Sequence, residues 1–391
     1  MLVYSLLESL LLLIVLLLRA SPSGVTLCRL PSQMLQQMAD TLAPGSVIGI
    51  LGGGQLGRML SVAASRLGLR CHIFEPGAEP PAGHVAETVT TAPYDGEAAL
   101  RAFGEAVDVI TYEFENVPTS ALDLLESLAP IRPGRNALAT SQDRLDEKQF
   151  LESIGLRVAP FAAVETLGDL QSGAEQVGLP AILKTRRFGY DGKGQARLNS
   201  PDELEDAFDA LQGAPAILEG FVDFDLEISV IAARSTSGAV KCFDPGHNVH
   251  VDGILRTTTV PAPVDDAVAA DAVAVAATIL DALNYVGVLG VELFVTSGGL
   301  VVNEIAPRVH NSGHWTQDGC VVDQFEQHIR AVAGWSLGDP SRQNDVVMEN
   351  LIGDEIDTIA ARAQEPGVAV HAYGKAETKP GRKMGHINRV V

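Results

Sequence analysis

The stretch from Ser46 to Leu69 constrains the fold more than any other part of the chain. SVIGIL is a short apolar, β-branched run, GGGQLG is a glycine-rich turn, and RMLSVAASRLGL carries apolar residues at helical spacing. A strand feeding a helix through so tight a turn commits the chain to a parallel sheet with right-handed crossovers. Two further strands follow the same plan: RCHIF, which ends at Glu75-Pro76, and VDVITYEF, which precedes Glu115-Asn116-Val117-Pro118. The turn itself, Gly52 to Gly57, satisfies G-x-G-x-x-G, and Glu75 lies 18 residues beyond Gly57. Glycines let a backbone approach an anion at a helix N-terminus. Three readings fit: a dinucleotide site with Glu75 on a ribose, a phosphate site for another ligand, and a turn that needs glycine for packing alone. The motif by itself does not choose among them.

From Asp143 the texture changes. DRLDEKQFLESIG predicts a charged amphipathic helix, AILKT a strand ending near Lys184, and AILEGF a strand carrying Glu219. Between the two strands, Phe188 to Gln195 (FGYDGKGQ) combines three glycines with Lys193, a composition able to fold over phosphates through amides and a mobile charge. Its order is not that of a Walker A loop. EISVIAA and AVKCFDP predict an antiparallel pair, and Val264 to Leu283 a long helix.

VELFVTSGGLVVNEI is the most informative segment. A three-residue Ser297-Gly298-Gly299 loop would pair Thr296 with Leu300, and so set Glu292 directly opposite Glu304. Two carboxylates on one face of a hairpin, about 5 Å apart, repel unless one is protonated or a cation lies between them. A hard divalent ion held jointly with phosphate oxygens answers that repulsion. Phe294, Val302 and Ala306 are expected on the same face, and Asn303 on the other unless the strand is irregular. Downstream, RVHNSGHWT offers His310 and Asn311 as polar contacts without the carboxylate or cysteine spacing of a zinc site.

Composition narrows the chemistry. The chain has 28 Lys+Arg against 49 Asp+Glu, a net of −21, which argues against nucleic acid or an anionic membrane as partner. Its 4 cysteines stand far apart with no CxxC pair, a pattern suited to a reducing compartment and hence to the cytoplasm. Residues 2 to 18 (LVYSLLESLLLLIVLLL) are long enough to span a bilayer but contain Glu8 and lack a positive flank before them. The favoured expectation is that residues 1–45 lie outside the working fold; a membrane anchor and a signal peptide are the less favoured readings.

The segments GGGQLGRM, YEFENVP, DRLDEKQFL, AILKTRRFGYDGKGQ, DPGHNVHVDGILRTT, VELFV, NEIAPRVHNSGHWTQ and KPGRKMGH, in this order from Val47 to His386, resemble the 5-(carboxyamino)imidazole ribonucleotide synthases, the ATP-grasp ligases of purine biosynthesis. The resemblance implies a mixed α/β and α+β architecture. A Rossmann-like pre-ATP-grasp domain (46–143) precedes a two-lobed ATP-grasp domain (144–345) and a small β-rich C-terminal domain (346–391). Members usually run some tens of residues beyond GRKMGH, so a shortened C-terminus is expected. Lys193 stands where many members carry Arg.

The implied reaction joins ATP, bicarbonate and 5-aminoimidazole ribonucleotide through carboxyphosphate, with Mg2+ as cofactor, in a cytoplasmic homodimer. ATP contacts carried over are Arg144, Lys184, Gly189, Tyr190, Asp191, Gly192, Lys193, Gly194, Gln195, Glu219, Gly220, Phe221, Val222, Glu227, His247, Asn303 and Glu304. Metal ligands would be Glu292 and Glu304. The ribonucleotide would meet Gln55, Leu56, Glu113, His310, Asn311, Lys375, Arg382 and Lys383, which turns the glycine-rich turn from a nicotinamide cofactor to the substrate phosphate. The alternatives are a formate-dependent glycinamide ribonucleotide transformylase, an NAD-dependent dehydrogenase, and a catalytically inert protein tethered at a membrane.

Overall fold

The computed structural model describes residues 20–21, 24–25, 41–189 and 194–391, so the apolar segment 2–18 and the loop residues 190–193 lie outside the described residues. Residues 1–41 form one unit, in which the two-residue strands Ala20–Ser21 and Gly24–Val25 pair antiparallel. Residues 42–391 form the other, and all that follows concerns it. Among the described residues no helix is long and apolar enough to cross a membrane.

The first sheet is parallel, as the βα pattern requires. Its strands are β1 (Val47–Leu51), β2 (Arg70–Phe74), β3 (Thr88–Thr90) and β4 (Val109–Tyr112), in the order β3-β2-β1-β4. Helix α1 (Gln55–Arg66) follows β1 through the glycine turn, and α2 (Glu97–Glu105) joins β3 to β4. Ile48, Ile50, Ile73, Val109 and Ile110 are buried, which is why these strands read as unbroken apolar runs rather than as alternation. Helices α3 (Thr119–Leu125) and α4 (Arg135–Gln142) complete this part.

Helix α5 (Arg144–Ser153) opens the next part. Asp143 caps it by accepting from the Leu145 amide at 3.0 Å, with Asp146 and Glu147 in the first turn where the helix dipole favours negative charge. A small antiparallel sheet follows, formed by β5 (Phe161–Val164), β6 (Ala181–Thr185), β7 (Gln195–Leu198) and β8 (Ala216–Gly220) in the order β5-β8-β6-β7. Helices α6 (Leu167–Val177) and α7 (Leu204–Ala210) cover it; Thr166 and Asp169 form a reciprocal capping box at the start of α6.

The third sheet is the frame of the molecule. It contains β9 (Leu226–Arg234), β10 (Val240–Cys242), β11 (Gly246–Val251), β12 (Ile254–Val260), β13 (Gly287–Thr296), β14 (Gly299–Ala306), β15 (Val346–Ile352), β16 (Val368–Ala372) and β17 (Lys383–Val390). The order is β14-β13-β9-β11-β12-β15-β17-β16, with β10 paired to β9 as expected. The last three strands therefore extend the same sheet, and β17 is paired on both sides.

The two faces of this sheet differ. Ile228, Val230, Val291, Leu293 and Ile305 pack beneath helix α8 (Asp266–Ala282), whose Ala272 and Ala276 allow close approach. The other face carries Glu227, Ser229, Glu292 and Glu304 at one end; further along β9 it buries Ile231 and Ala233 beside Trp315, Phe325 and the first sheet. Helices α9 (Thr316–Gly319) and α10 (Gln324–Val332) lie on that side. Asp323 caps α10, and Arg66 of α1 reaches Asp323 at 3.2 Å and Glu326 at 3.0 Å, locking the first sheet to the frame.

Leu289, fully buried on β13 beneath α8, is expected to be a stability anchor without a role in the site. Leu289→Ala should cost about 2–5 kcal/mol through lost burial plus a cavity, read as a lower urea midpoint. An unchanged midpoint would contradict this packing.

Candidate active site

The carboxylate hairpin forms by a route different from the expected one. The loop contains two residues, Ser297 and Gly298, because Thr296 pairs with Gly299 and Leu300 with Val295. That register alone would misalign the acids, but a bulge at Asn303 shifts the strand, and Glu292 pairs with Glu304 after all. Val302 is thereby corrected to the opposite face: it pairs with Leu293 and is buried beneath α8. Asn303 gains through the bulge the orientation an ideal strand would deny it, and its amide donates to Glu292 Oε2 at 3.4 Å.

The two acids have opposite electrostatics. Burial raises Glu292 well above the ordinary carboxylate range, helped by the charges of Glu304 and Glu227. Partial burial would raise Glu304 too, but the Arg144 guanidinium, at 2.9 Å from Oε2, and the charge of Lys184 hold it below that range. One carboxyl is therefore protonated at neutral pH beside one that is ionised, the usual way for like charges to share a site.

Helix α5 supplies the compensation. Arg144, Glu147 and Lys148 stand at i, i+3 and i+4, so one face presents all three to the site. Lys148 Nζ lies 2.6 Å from the Asn303 carbonyl and 3.5 Å from Glu219 Oε2. Lys184 Nζ donates to the same Glu219 oxygen at 3.0 Å, while Glu219 Oε1 is buried with no partner among the described residues. Burial pushes the Glu147 carboxyl up to about 8, with the Glu304 charge adding to the rise. The sequence alone does not single out Glu147 and Lys148. Their helical spacing relative to Arg144 was visible, but charge on a helix ordinarily marks a solvated face.

The structure also redistributes the histidines. His247 is in register with Ile228, on the face opposite Glu227, so it does not join the acids. His250 does: the strand is irregular between Val249 and His250, and His250 Nδ1 lies 3.2 Å from Glu227 Oε1. Ligand atoms of Glu227, His250 and Glu292 lie within 4.8 Å of one another. His310 Nε2 is 3.5 Å from Glu292 Oε1, and its Nδ1 bonds Ser312 Oγ at 2.8 Å. Burial and the Arg308 charge press His310 down to about 3, so it is neutral at physiological pH. Arg308 pairs with Glu115 at 2.5 Å.

At the glycine turn the donors are already used. Gly53 N–H donates to Glu75 Oε2 at 2.8 Å, and Gly54 and Gly57 donate to Glu113 at 2.5 and 2.8 Å. Glu75 thus closes its own turn instead of waiting for a ribose. Gly52 sits at φ +102°, and a Cβ there would fall 2.5 Å from Glu113 Cγ, so this position needs glycine on two counts. Leu56 buries its side chain in the core and Gln55 is half-buried at the first position of α1. Asn311 exchanges amide hydrogen bonds with Asn350 at 3.0 and 2.8 Å. Lys375 Nζ donates to the Lys383 carbonyl at 2.6 Å, and Arg382 to the Glu377 carbonyl at 3.0 Å. Lys383 adds positive charge near Glu292, His250 and His310. Of the glycine flap, Gly189, Gly194 and Gln195 are described, with Thr185 N–H donating to the Gly194 carbonyl at 2.8 Å. Phe221 lies exposed beneath the Arg197 guanidinium, 4.2 Å from its ring centre, while Gly220 and Val222 flank it.

Three family models match the chain: the ribonucleotide synthetase preATP-grasp domain over residues 46–142, the ATP-grasp domain over 149–325, and the phosphoribosylaminoimidazole carboxylase C-terminal domain over 346–391. N5-carboxyaminoimidazole ribonucleotide synthase of Brucella melitensis is 54% identical over 353 residues, spanning 90% of this chain and 98% of that protein. Among solved structures, an N5-carboxyaminoimidazole ribonucleotide synthetase in complex with ADP superposes with a TM-score of 0.87 at 40% identity, covering 90% of this chain and 94% of the other. The Aspergillus clavatus N5-carboxyaminoimidazole synthase, solved with ADP and 5-aminoimidazole ribonucleotide, gives 0.84 at 32% identity, covering 89% and 94%.

The Glu147 carboxyl binds its proton more tightly in the fold, at about 8, than at its ordinary 4.5. Its contribution to stability is therefore full below pH 4.5 and lost as pH rises toward 8. Glu147→Gln, neutral throughout, should match the parent's thermal midpoint at pH 5 and exceed it at pH 8.5; equal gaps at both would refute the assignment.

Proposed function

Since the chain belongs to the N5-carboxyaminoimidazole ribonucleotide synthase family of ATP-grasp ligases, we infer that it carboxylates 5-aminoimidazole ribonucleotide with bicarbonate at the expense of ATP. A bicarbonate oxygen bonds to the γ-phosphorus as the bond to ADP breaks, giving carboxyphosphate. The exocyclic amine then bonds to the carboxyl carbon, phosphate leaves, and the amine loses a proton.

The observation that carries the reading is the bulged hairpin that sets Glu292 opposite Glu304, ringed by Arg144, Lys148, Lys184 and Glu219. Lys184 and Arg144 suit phosphate oxygens. The unpartnered, buried Glu219 Oε1 is an acceptor suited to an amino group such as that of adenine. Glu227, with His250 beside it, would accept from ribose hydroxyls. The segment Gly189 to Gln195 would cover the phosphates. Glu292 and Glu304, with the Asn303 amide, are a hard oxygen-donor set that fits Mg2+ and not a soft metal. Such an ion, when bound, neutralises charge developing on the transferred phosphoryl group.

For the ribonucleotide we assign Asn311, His310 and the cations Lys375, Arg382 and Lys383, with Gln55 and Leu56 offering backbone amides at the start of α1. Neutral His310 serves as a hydrogen-bonding partner rather than an acid. Glu113 shapes the turn by holding Gly54 and Gly57. A cytoplasmic homodimer completes the proposal, and sedimentation of the purified protein tests the dimer.

Labelled bicarbonate with ATP and 5-aminoimidazole ribonucleotide should yield an acid-labile carboxylated product together with ADP. ADP release that requires formate and glycinamide ribonucleotide instead would reassign the substrate. Glu292→Gln should lower turnover about 10²-fold or more, the scale for removing one preorganised electrostatic group. Because Glu292 is held protonated by burial, metal uptake displaces a proton. Mg2+ affinity, read by calorimetry, should thus rise from pH 6 to 8, approaching about tenfold per unit; a flat profile would count against Glu292 as ligand.

A further inference from the structure

Lys148 is almost wholly buried, with a side chain 3% exposed, yet nothing in the reaction scheme above uses it. A buried ammonium has three donors to satisfy. Three acceptors surround this one: the Asn303 carbonyl at 2.6 Å, the Val302 carbonyl at 3.5 Å and Glu219 Oε2 at 3.5 Å. Two of the three lie in the bulge, the third at the nucleotide end of the small sheet.

Strand β14 is an edge strand, and among the described residues its outer row of backbone groups meets no further strand, only an isolated bridge from Val302 to Val158. A bulge there leaves further groups out of the ladder. Side chains and backbone preceding β5 take the place of the absent strand. Val302 N–H donates to the Arg157 carbonyl at 2.8 Å, Lys148 donates to Asn303, and Ile305 N–H lies 3.4 Å from Glu147 Oε1. From the same helix face Arg144 holds the Glu304 carboxylate. Without an anchor on the Asn303 carbonyl, the bulge could slide, and a one-residue slip would turn Glu304 to the wrong face.

We propose that Lys148 is a positioning residue for phosphoryl transfer, tying Glu219 to the Asn303 carbonyl so that nucleotide and metal-ligand strand are held in one register. A purely structural site of this kind would be served as well by an apolar side chain, which carries no desolvation cost. The charge is retained here where it spans two functional elements. The proposal rests on the nucleotide and metal sites assigned above, and parent enzyme run alongside separates the two: no bicarbonate-dependent ADP release by the parent would sink that assignment, not this one.

Lys148→Met keeps the stem and removes the charge. Hydrogen exchange at the amides of residues 302–305 should accelerate about tenfold or more through local opening, with exchange in β9 unchanged. Turnover should fall about 10²-fold, as misplacement of reacting groups does, while KM for the ribonucleotide stays within about twofold of the parent. Parental exchange and parental turnover together would overturn the proposal. Should that variant fail to fold, Lys148→Arg keeps the charge with a longer, planar head. It should fold, exchange faster at 302–305 and lose turnover; parental values for both would likewise overturn it.

Discussion

Two carboxylates must face one another across a buried hairpin, and most of the molecule's unusual features answer that constraint. Apposed charges at this spacing cannot both ionise without a cation between them. The fold copes by treating the pair unequally. Arg144 holds Glu304 ionised, and burial leaves Glu292 protonated with a neutral histidine beside it. The resting site is thus close to balance locally. A hard divalent ion held there, as proposed, would displace the Glu292 proton, so the site would gain its full negative charge only as the cation arrives.

Backbone irregularity does the geometric part. A regular hairpin closed by two residues would have placed Glu292 opposite a residue other than Glu304; the bulge at Asn303 restores the pairing and turns Asn303 inward as well. The same economy recurs at the glycine turn, where the amides of Gly53, Gly54 and Gly57 are satisfied by Glu75 and Glu113. Carboxylates from the ends of neighbouring parallel strands fill the place that phosphate takes in dinucleotide folds. A G-x-G-x-x-G sequence specifies a turn with free or fillable amides. What fills them depends on side chains tens of residues away.

That dependence marks the limit of what the sequence discloses. Period-two and apolar patterns carried the parallel sheet, two of the four strands of the small sheet and the hairpin, because those depend on local burial. Glu292, Glu304, Lys184 and Glu219 could be picked out since each interrupts an apolar strand, where a charge needs a reason. Lys148 and Glu147 could not, because only tertiary packing turns a charged helix face toward the interior. The choice between His247 and His250 turned on a single irregularity at Val249, and period-two reasoning is blind to a one-residue shift.

The charge distribution follows from the same physics. The chain as a whole is strongly acidic, −21 at neutral pH, yet the substrates proposed for it are all anions. Long-range attraction therefore does not recruit them; what matters is the local arrangement, since charges separated by more than about 8–10 Å are screened in physiological salt. Within that radius Arg144, Lys148 and Lys184 surround Glu219 and Glu304, and each cation already has a carboxylate or carbonyl partner. An arriving triphosphate would compete for Arg144 and Lys184 while Lys148 keeps its carbonyl and Glu219 partners, so binding would exchange one set of ion pairs for another instead of creating charge contacts from nothing. Such exchange costs little reorganisation, because the cations are already desolvated and aimed.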